Sequence, residues 1–255
     1  MKLSMDKGKK IWNSLGATDP YFAVYSVDKY LDSNLNEDGK DDFFSSGVEY
    51  VEELWVDLER IFGFEPRPKR VLDFGCGVGR LLFALADRSE HAVGVDISES
   101  MLEEARHRIT ERGIENVELI ETGAFKRSSA TFDLIHSFIV LQHIDPNEGM
   151  EIIKRSVEML EDGGLGMLHV TFHDPASRMQ KVKRKIDANL GPLRLMAHKL
   201  RGSTPRPWMP MNVYDLNAVL ELLRILGCHN ISIKFTDHGM IGAMIFFQKR
   251  ESLDD

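Results

Sequence analysis

The spacing of apolar residues changes near residue 65. Before this point the apolar positions recur with a helical period, weakly over residues 6–15 and clearly over residues 46–62. Such a stripe is typical of an amphipathic helix packed on a core. The clearer stripe consists of Val48, Val51, Leu54, Trp55, Leu58 and Phe62. We therefore predict a helical N-terminal cap over residues 1–65, with the acidic run at residues 36–42 as a solvated loop.

From residue 66 onward, short apolar runs alternate with helical patterns. Strands that alternate with helices form a parallel sheet with right-handed crossovers. Ser98 is expected to cap the second helix of this region, and Gly163 with Gly164 to end the third. The predicted strands are 70–74, 92–96, 116–121, 132–138, 165–172, 229–236 and 241–249, and the predicted helices are 79–88, 99–112, 147–161 and 213–226.

The segment VLDFGCGVGRLL, residues 71–82, combines a buried strand, a glycine-rich turn and the start of a helix. Its glycines are Gly75, Gly77 and Gly79. Glycines at such a turn allow positive φ and let the backbone approach a ligand, and the helix N-terminus presents free N–H groups to an anion. A dinucleotide site needs G-x-G-x-x-G, but here Arg80 occupies the place of the third glycine. Asp73, before the turn, would repel a pyrophosphate and could pair with an ammonium group. A ligand with an amino-acid group and a ribose is therefore favoured over NAD.

This pattern resembles motif I of the class I S-adenosylmethionine-dependent methyltransferases. Asp96, at the end of the run VGVDIS, falls where the ribose-binding acid of that family lies, and the segments FDLIHSF and LQHI follow in order. The resemblance covers residues 66–172 and, more loosely, the C-terminal strands. It implies an α/β, Rossmann-like fold in which seven mostly parallel strands, the last antiparallel, carry helices on both faces. A methyltransferase domain over residues 66–255, with a lid insertion after the fifth strand at residues 173–211, would follow the cap.

The resemblance also implies S-adenosylmethionine as cofactor, with S-adenosylhomocysteine as product. Asp73 would bind the amino group and Asp96 the two ribose hydroxyls; the alternatives are a strand-end acid satisfied by backbone N–H groups and a helix-capping acid. In that family an acid past the third strand commonly binds the adenine amino group, but Gly123 stands there in this chain. The full set expected to bind the cofactor is Asp73, Gly75, Cys76, Gly77, Gly79, Arg80, Asp96, Ile97, Met101, Thr122, Gly123, Ala124 and Ser137.

Histidines supply the candidate catalytic bases. The end of the fourth strand, around His136 and Ser137, should face the reacting centre, because ligands gather at the C-terminal ends of parallel strands. His143 lies just beyond and could take a proton from an acceptor hydroxyl; the alternative is a histidine that shapes the loop. His173, past the fifth strand, is a second candidate.

Several other chemistries are disfavoured by missing motifs. The [DNS]-P-P-[FY] motif of enzymes that methylate exocyclic amino groups of nucleic acid is replaced by HSFI, and neither Cys76 nor Cys228 lies near the acceptor side to act as a nucleophile. No His, Cys or Asp cluster has metal-ligand spacing. We therefore predict methyl transfer to a small molecule, at oxygen rather than nitrogen. The alternatives are an RNA or tRNA methyltransferase and a non-catalytic S-adenosylmethionine-binding protein.

Composition, cysteine content and the N-terminal pattern together predict a cytoplasmic protein. It has 255 residues, 43% of them apolar, and a net charge of −8 that argues against a general nucleic-acid binder. No apolar run approaches the ~20 residues that a membrane span needs, and the N-terminus lacks the pattern of a secretory signal. Two cysteines indicate a reducing compartment rather than a disulfide framework.

A basic segment at residues 178–206 stands out from this acidic background. It contains nine Lys or Arg residues against one acid, Asp187. It could attract an anionic acceptor, lie on an anionic membrane surface as a peripheral contact, or compensate the acidic cap. Aromatic residues of the cap could likewise form a wall over the site or pack in the core; they are Tyr21, Phe22, Tyr25, Phe43 and Phe44. The sequence leaves the oligomeric state open.

Overall fold

The computed structural model describes residues 5–176, 179 and 209–250, and within them the chain forms a seven-stranded sheet with strand order β3-β2-β1-β4-β5-β7-β6. Strand β7 is antiparallel to both of its neighbours, β5 and β6. The predicted fold class is confirmed. The strands are β1 (Arg70–Phe74), β2 (His91–Asp96), β3 (Val117–Glu121), β4 (Phe132–Ser137), β5 (Leu160–His173), β6 (Cys228–Asp237) and β7 (Ile241–Lys249).

Eight α-helices are described in these residues, and they cover both faces of the sheet. They are α1 (Met5–Thr18), α2 (Pro20–Val24), α3 (Glu37–Phe62), α4 (Leu82–Ala86), α5 (Glu99–Arg112), α6 (Thr122–Phe125), α7 (Pro146–Glu158) and α8 (Leu216–Ile225). Because successive residues of a strand point to opposite faces, Leu72 packs in the cluster that α7 and α8 cover, whereas Val71 packs in the cluster beneath α3 and α4. The described part of the chain contains no helix that is long and apolar enough to cross a membrane.

Helix α5 begins and ends where its local sequence directs. The Ser98 hydroxyl accepts a hydrogen bond from the Met101 N–H, as an N-cap should, and Gly113 ends the helix in the left-handed conformation. The prediction that Ser98 caps this helix is confirmed.

The acidic run at residues 36–42 is not a loop, so that prediction is wrong. Helix α3 begins at Glu37, and Asn36 caps it by accepting a hydrogen bond from the Gly39 N–H. Two acids in the first turn are favourable at the positive end of the helix dipole. Phe43 and Phe44, one turn further on, are buried and fix this turn against the core.

The prediction for Gly163 and Gly164 is also wrong. Helix α7 ends at Glu158, and both glycines lie inside β5, which begins at Leu160. The reason is tertiary, because Leu160 pairs with Phe132 of β4 and the Gly163 carbonyl accepts a hydrogen bond from Gln248. Sheet pairing therefore extends the strand back through a glycine pair that local sequence assigns to a helix end.

The N-terminal helices pack directly on the sheet-bearing part of the chain. Lys9 pairs with Glu121 at 2.7 Å, and the Tyr21 hydroxyl donates a hydrogen bond to Glu104 at 2.6 Å. Of the aromatic residues proposed for a wall, Tyr25 lines the cavity described below, and the other four are buried; they are Tyr21, Phe22, Phe43 and Phe44. The division between residues 1–65 and 66–255 stays a prediction, and the basic segment at residues 178–206, save for Met179, lies outside the described residues.

Candidate active site

A cavity of about 790 Å³ lies at the C-terminal ends of β1, β2 and β4. Ligand sites of α/β sheets form at this edge, and the volume falls in the range of ~300–1,000 Å³ that is usual for ligand pockets. Helices α1 and α3 contribute Trp12 and Tyr50 to its wall. The cavity is therefore enclosed by the sheet on one side and by the N-terminal helices on the other.

The glycine-rich turn between β1 and α4 forms the floor of this cavity. All three of its glycines have positive φ: 84° at Gly75, 54° at Gly77 and 92° at Gly79. A Cβ at Gly77 would lie 2.5 Å from a methyl carbon of Val24, and one at Gly75 would overlap the side chain of Val140. Positive φ and lack of space together explain why the turn requires glycine.

Asp96 lies at the end of β2 and is half-buried at the cavity. One carboxylate oxygen accepts the Gly77 N–H at 2.9 Å and the other accepts the Ser98 N–H at 2.8 Å. Burial, partly offset by these donors, raises the pKa of Asp96 to about 6. A carboxylate oxygen can accept more than one hydrogen bond, so hydroxyl groups in the cavity would complete its shell. Ser98 is the N-cap of α5, and the assignment of Asp96 to the ribose hydroxyls stays a prediction.

Asp73 lies one strand away, on β1, and has a partner that the sequence did not indicate. Its carboxylate oxygen Oδ1 is 2.7 Å from Nδ1 of His136, the residue beside it in the register of β1 and β4. Both side chains are buried, and Asp73 lines the cavity. The second oxygen of Asp73 has no hydrogen-bond partner among the described residues, so it is the atom that a cationic ligand group would meet.

Arg80 follows the turn and is also buried at the cavity wall. Its Nη1 donates to the backbone and side-chain oxygens of Ser46, and its guanidinium stacks over Tyr25 at 4.8 Å. Burial lowers the pKa of Arg80, and its Nε is buried without a hydrogen-bond partner. Within the described residues no carboxylate forms an ion pair with it. A buried guanidinium without a carboxylate partner is suited to an anionic ligand group, because such a group would balance its charge.

His143 lies at the cavity wall in a 3₁₀ turn after β4 (Leu141–His143). Its Nδ1 is 2.7 Å from the Pro210 carbonyl, which can only accept, so Nδ1 carries the proton. Burial lowers the pKa of His143 to about 4, and the ring is therefore neutral at pH 7. Its Nε2 lies 3.2 Å from Nε2 of the Gln142 amide, which donates to it. An acceptor hydroxyl would have to displace Gln142 before it could give a proton to this nitrogen.

The cavity brings together ten of the fifteen residues that the sequence predicted for the site. They are Asp73, Gly75, Cys76, Gly77, Arg80, Asp96, Ile97, Met101, Thr122 and His143. Burial raises the pKa of the Cys76 thiol, so Cys76 stays protonated and contributes only to the wall. Outside the lining, Ser137 donates its hydroxyl to the Phe74 carbonyl and His173 is exposed at the end of β5. Gly79, Gly123 and Ala124 are likewise not in the lining. These role assignments stay predictions.

Sequence reasoning missed several side chains that line the cavity, namely Trp12, Tyr50, Phe138 and His238. Tyr50 had a usable signal, because it lies next to the apolar stripe of α3 and so had to sit at the edge of the buried face. Phe138 and His238 lie in loops about 100 residues apart, and no local pattern connects them. Within the described residues, no group of three or more His, Cys, Asp or Glu side chains could hold a metal ion.

Comparison with known proteins finds similarity to methyltransferases over part of the chain. Residues 71–164 match the family model described as a methyltransferase domain. Aklanonic acid methyltransferase DauC of Streptomyces sp. is 37% identical over 120 residues, which are 43% of this chain and 50% of that protein. A ubiquinone biosynthesis O-methyltransferase of Idiomarina loihiensis is 37% identical over 100 residues, or 38% of this chain and 40% of that protein. The chain thus spans about half the length of the curated relatives it matches.

A solved structure agrees with the fold. Magnesium protoporphyrin IX methyltransferase (ChlM) from Synechocystis PCC 6803, with bound SAH, superposes with a TM-score of 0.63 at 20% identity, covering 96% of this chain and all of that one. The strand order and the glycine turn flanked by two acids define a Rossmann-like α/β domain. Residues 71–164 are therefore similar to a methyltransferase domain, and the fold is the one that the class I S-adenosylmethionine-dependent methyltransferases share.

Proposed function

We propose that the protein transfers a methyl group from S-adenosylmethionine to a hydroxyl oxygen of a small molecule. The observation that carries this proposal is the placement of Asp73 and Asp96 on either side of a glycine turn that floors one cavity. The named O-methyltransferase among its relatives supports oxygen as the target.

The residues present fit this cofactor on chemical grounds. The free oxygen of Asp73 suits an ammonium group, the guanidinium of Arg80 suits a carboxylate, and the half-buried Asp96 suits a pair of hydroxyls. The apolar side chains of Ile97 and Met101 and the hydroxyl of Thr122 line the cavity near Asp96 and would contact the adenine base. When bound, the cofactor supplies a methyl group already activated by its sulfonium.

The protein then contributes mainly orientation and exclusion of water. Holding the acceptor in line with the methyl group can supply ~7–11 kcal/mol of the barrier. The N-terminal helices form one wall of the cavity, so they would shield part of both ligands from solvent. An anionic acceptor and a cytoplasmic location remain predictions, because the basic segment lies outside the described residues and the location rests on composition.

Two measurements test the proposal. Calorimetric titration with S-adenosylhomocysteine should give binding, whereas NADH should give none. Incubation with S-adenosylmethionine and a metabolite extract, followed by mass spectrometry, should then reveal a product heavier by one methyl group on oxygen. Asp96→Asn should weaken the binding of S-adenosylhomocysteine, whereas the matched control Asp87→Asn, which changes an exposed acid outside the cavity, should leave it unchanged.

Each contrary result rejects a different part. Binding of NADH without S-adenosylhomocysteine would reject the cofactor. Binding with no methylated product from any extract would point to a non-catalytic binding protein. Methylation of RNA alone, or of nitrogen alone, would reject the small-molecule or the oxygen assignment.

A further inference from the structure

Three polar side chains form a continuous hydrogen-bonded chain that crosses the cavity wall. The Tyr50 hydroxyl on α3 is 3.1 Å from Nε2 of His136 on β4, and Nδ1 of His136 is 2.7 Å from Oδ1 of Asp73 on β1. His136 is fully buried, with 0% exposure, between two partners that both line the cavity. These hydrogen bonds therefore connect Asp73, beside the glycine turn, to helix α3 on the other side of the cavity.

The direction of the hydrogen bonds follows from the partners. A carboxylate only accepts, so Asp73 requires the proton of the imidazole to lie on Nδ1. The other ring nitrogen, Nε2, is then an acceptor, and Tyr50 must donate its hydroxyl proton to it. This leaves the phenolic oxygen of Tyr50 as a hydrogen-bond acceptor at the cavity wall. An incoming O–H group is the partner that such an oxygen can bind.

We infer that Tyr50 is a catalytic residue that accepts the proton of the methyl acceptor's hydroxyl, and that His136 and Asp73 are positioning residues behind it. This inference rests on the proposed function and names the part of the site that handles the proton. In the role of proton acceptor Tyr50 replaces His143, because Nε2 of His143 already accepts a hydrogen bond from Gln142.

Protons and charge balance when the proton moves along the hydrogen bonds of Tyr50, His136 and Asp73. The acceptor hydroxyl gives its proton to the Tyr50 oxygen while the Tyr50 proton moves to Nε2 of His136, and the carboxylate of Asp73 balances the charge that the ring gains. The oxygen electron pair freed on the acceptor forms the new bond to the methyl group, and the carbon–sulfur pair stays on the sulfur of the product. Burial and the nearby Asp73 raise the pKa of Tyr50. Tyr50 is therefore not ionised in advance, and the two transfers must occur together.

The surroundings hold Tyr50 in the required position. Its ring lies 4.5 Å from that of Phe138, and its neighbour on α3, Val51, is buried in the core. Packing alone does not explain a buried histidine beside Tyr50. A buried ring nitrogen costs free energy unless it is hydrogen-bonded, and apolar side chains would fill the same space without that cost.

The arrangement of protons can be tested without any acceptor. In full-length protein labelled with ¹⁵N-histidine, long-range ¹H–¹⁵N spectra at pH 7.5 report which ring nitrogen of His136 is protonated, with His136→Gln used to assign its signals. We expect the proton on Nδ1 and a bare Nε2. A proton on Nε2 would mean that Tyr50 cannot donate to the ring, and the inference would be overturned.

Turnover tests the catalytic role. Tyr50→Phe removes only the hydroxyl, so formation of S-adenosylhomocysteine from S-adenosylmethionine and the metabolite extract should fall about 100-fold, the usual range for loss of proton transfer. Its affinity for S-adenosylhomocysteine should stay within about threefold. Tyr30→Phe is the matched control, since the Tyr30 hydroxyl also donates a hydrogen bond to a side chain, that of Asp42, but lies outside the cavity.

The same assay separates the competing assignments. A 100-fold loss in His143→Gln, with Tyr50→Phe within threefold of the wild type, would overturn the inference and restore His143 as the base. If wild-type protein yields no methylated product, the proposed function fails and the proton transfer fails with it. If wild-type protein is active and only the Tyr50 result is negative, the proposed function stands and this inference alone is rejected.

Discussion

The protonation of Asp96 should control cofactor affinity near neutral pH. Burial raises the pKa of this carboxyl to about 6 in the ligand-free protein, and only the ionised form can accept hydrogen bonds from two hydroxyls with both oxygens. Binding of such a ligand therefore favours ionisation, and affinity should rise as pH increases through about 6.

The size of the effect follows from the fraction ionised. With a pKa of about 6, roughly a tenth of the Asp96 side chains are ionised at pH 5 and nearly all at pH 7.5. S-adenosylhomocysteine should therefore bind about tenfold more weakly at pH 5 than at pH 7.5, a difference of about 1.4 kcal/mol. In Asp96→Asn, affinity should be lower at pH 7.5 and nearly constant between these values. His143, with its pKa of about 4, does not titrate in this range.

Calorimetry at pH 5, 6 and 7.5 is the assay, with unfolding in urea at each pH to confirm that both proteins remain folded. The raised pKa of Asp96 also makes the stability of the ligand-free protein depend on pH. Because the folded pKa is raised, Asp96 favours the folded state most below pH 4, and this contribution is lost as pH rises through 6. Equal affinity at all three pH values in the wild type, or the same tenfold change in Asp96→Asn, would refute the reasoning.

Three further predictions concern the turn, the core and the start of α3. Gly75→Ala should cost about 1–3 kcal/mol of stability through overlap, in addition to about 1–2 kcal/mol for its positive φ, and should weaken S-adenosylhomocysteine binding. Gly113→Ala, which has positive φ but open space, should cost only about 1–2 kcal/mol and keep its affinity. Equal affinities would show that the turn does not contact the ligand. Phe43→Ala removes a fully buried ring in edge contact with other rings and should cost about 3–5 kcal/mol in urea unfolding, against about 0.5 kcal/mol or less for the exposed Val56→Ala; similar values would contradict the assigned core. Asn36→Ala removes the cap of α3 and should cost about 1 kcal/mol, while an unchanged urea midpoint would mean that the helix begins elsewhere.

Much of the glycine-turn side of the candidate site could be predicted because its residues are close together in sequence. A strand, a tight turn and a helix follow one another directly, and the glycines of the turn indicate its positive φ values. Asp96 ends the next apolar run, so the parallel sheet brings it beside the turn, where the Gly77 N–H binds it. The fold class followed from the alternation of strands and helices for the same reason.

The predictions that failed depend on contacts between distant segments. Gly163 and Gly164 carry the local pattern of a helix end, but pairing of Leu160 with Phe132 draws them into β5. The acidic run before α3 has a loop-like composition, yet a cap at Asn36 and burial of Phe43 fold it into the helix. Local patterns could not weigh these long-range free energies.

The sequence by itself determined the sheet-forming alternation, the glycine turn and the two acids that flank it, because short-range sterics and hydrophobic period fix these features. Only the tertiary structure decided what each acid binds. Asp73 and His136 are 63 residues apart, and Tyr50 is 86 residues from His136. They meet because the register of β1 against β4 places two of them side by side and α3 packs across that edge of the sheet. A hydrogen bond depends on where its two atoms lie in space, and the number of residues between them does not determine this.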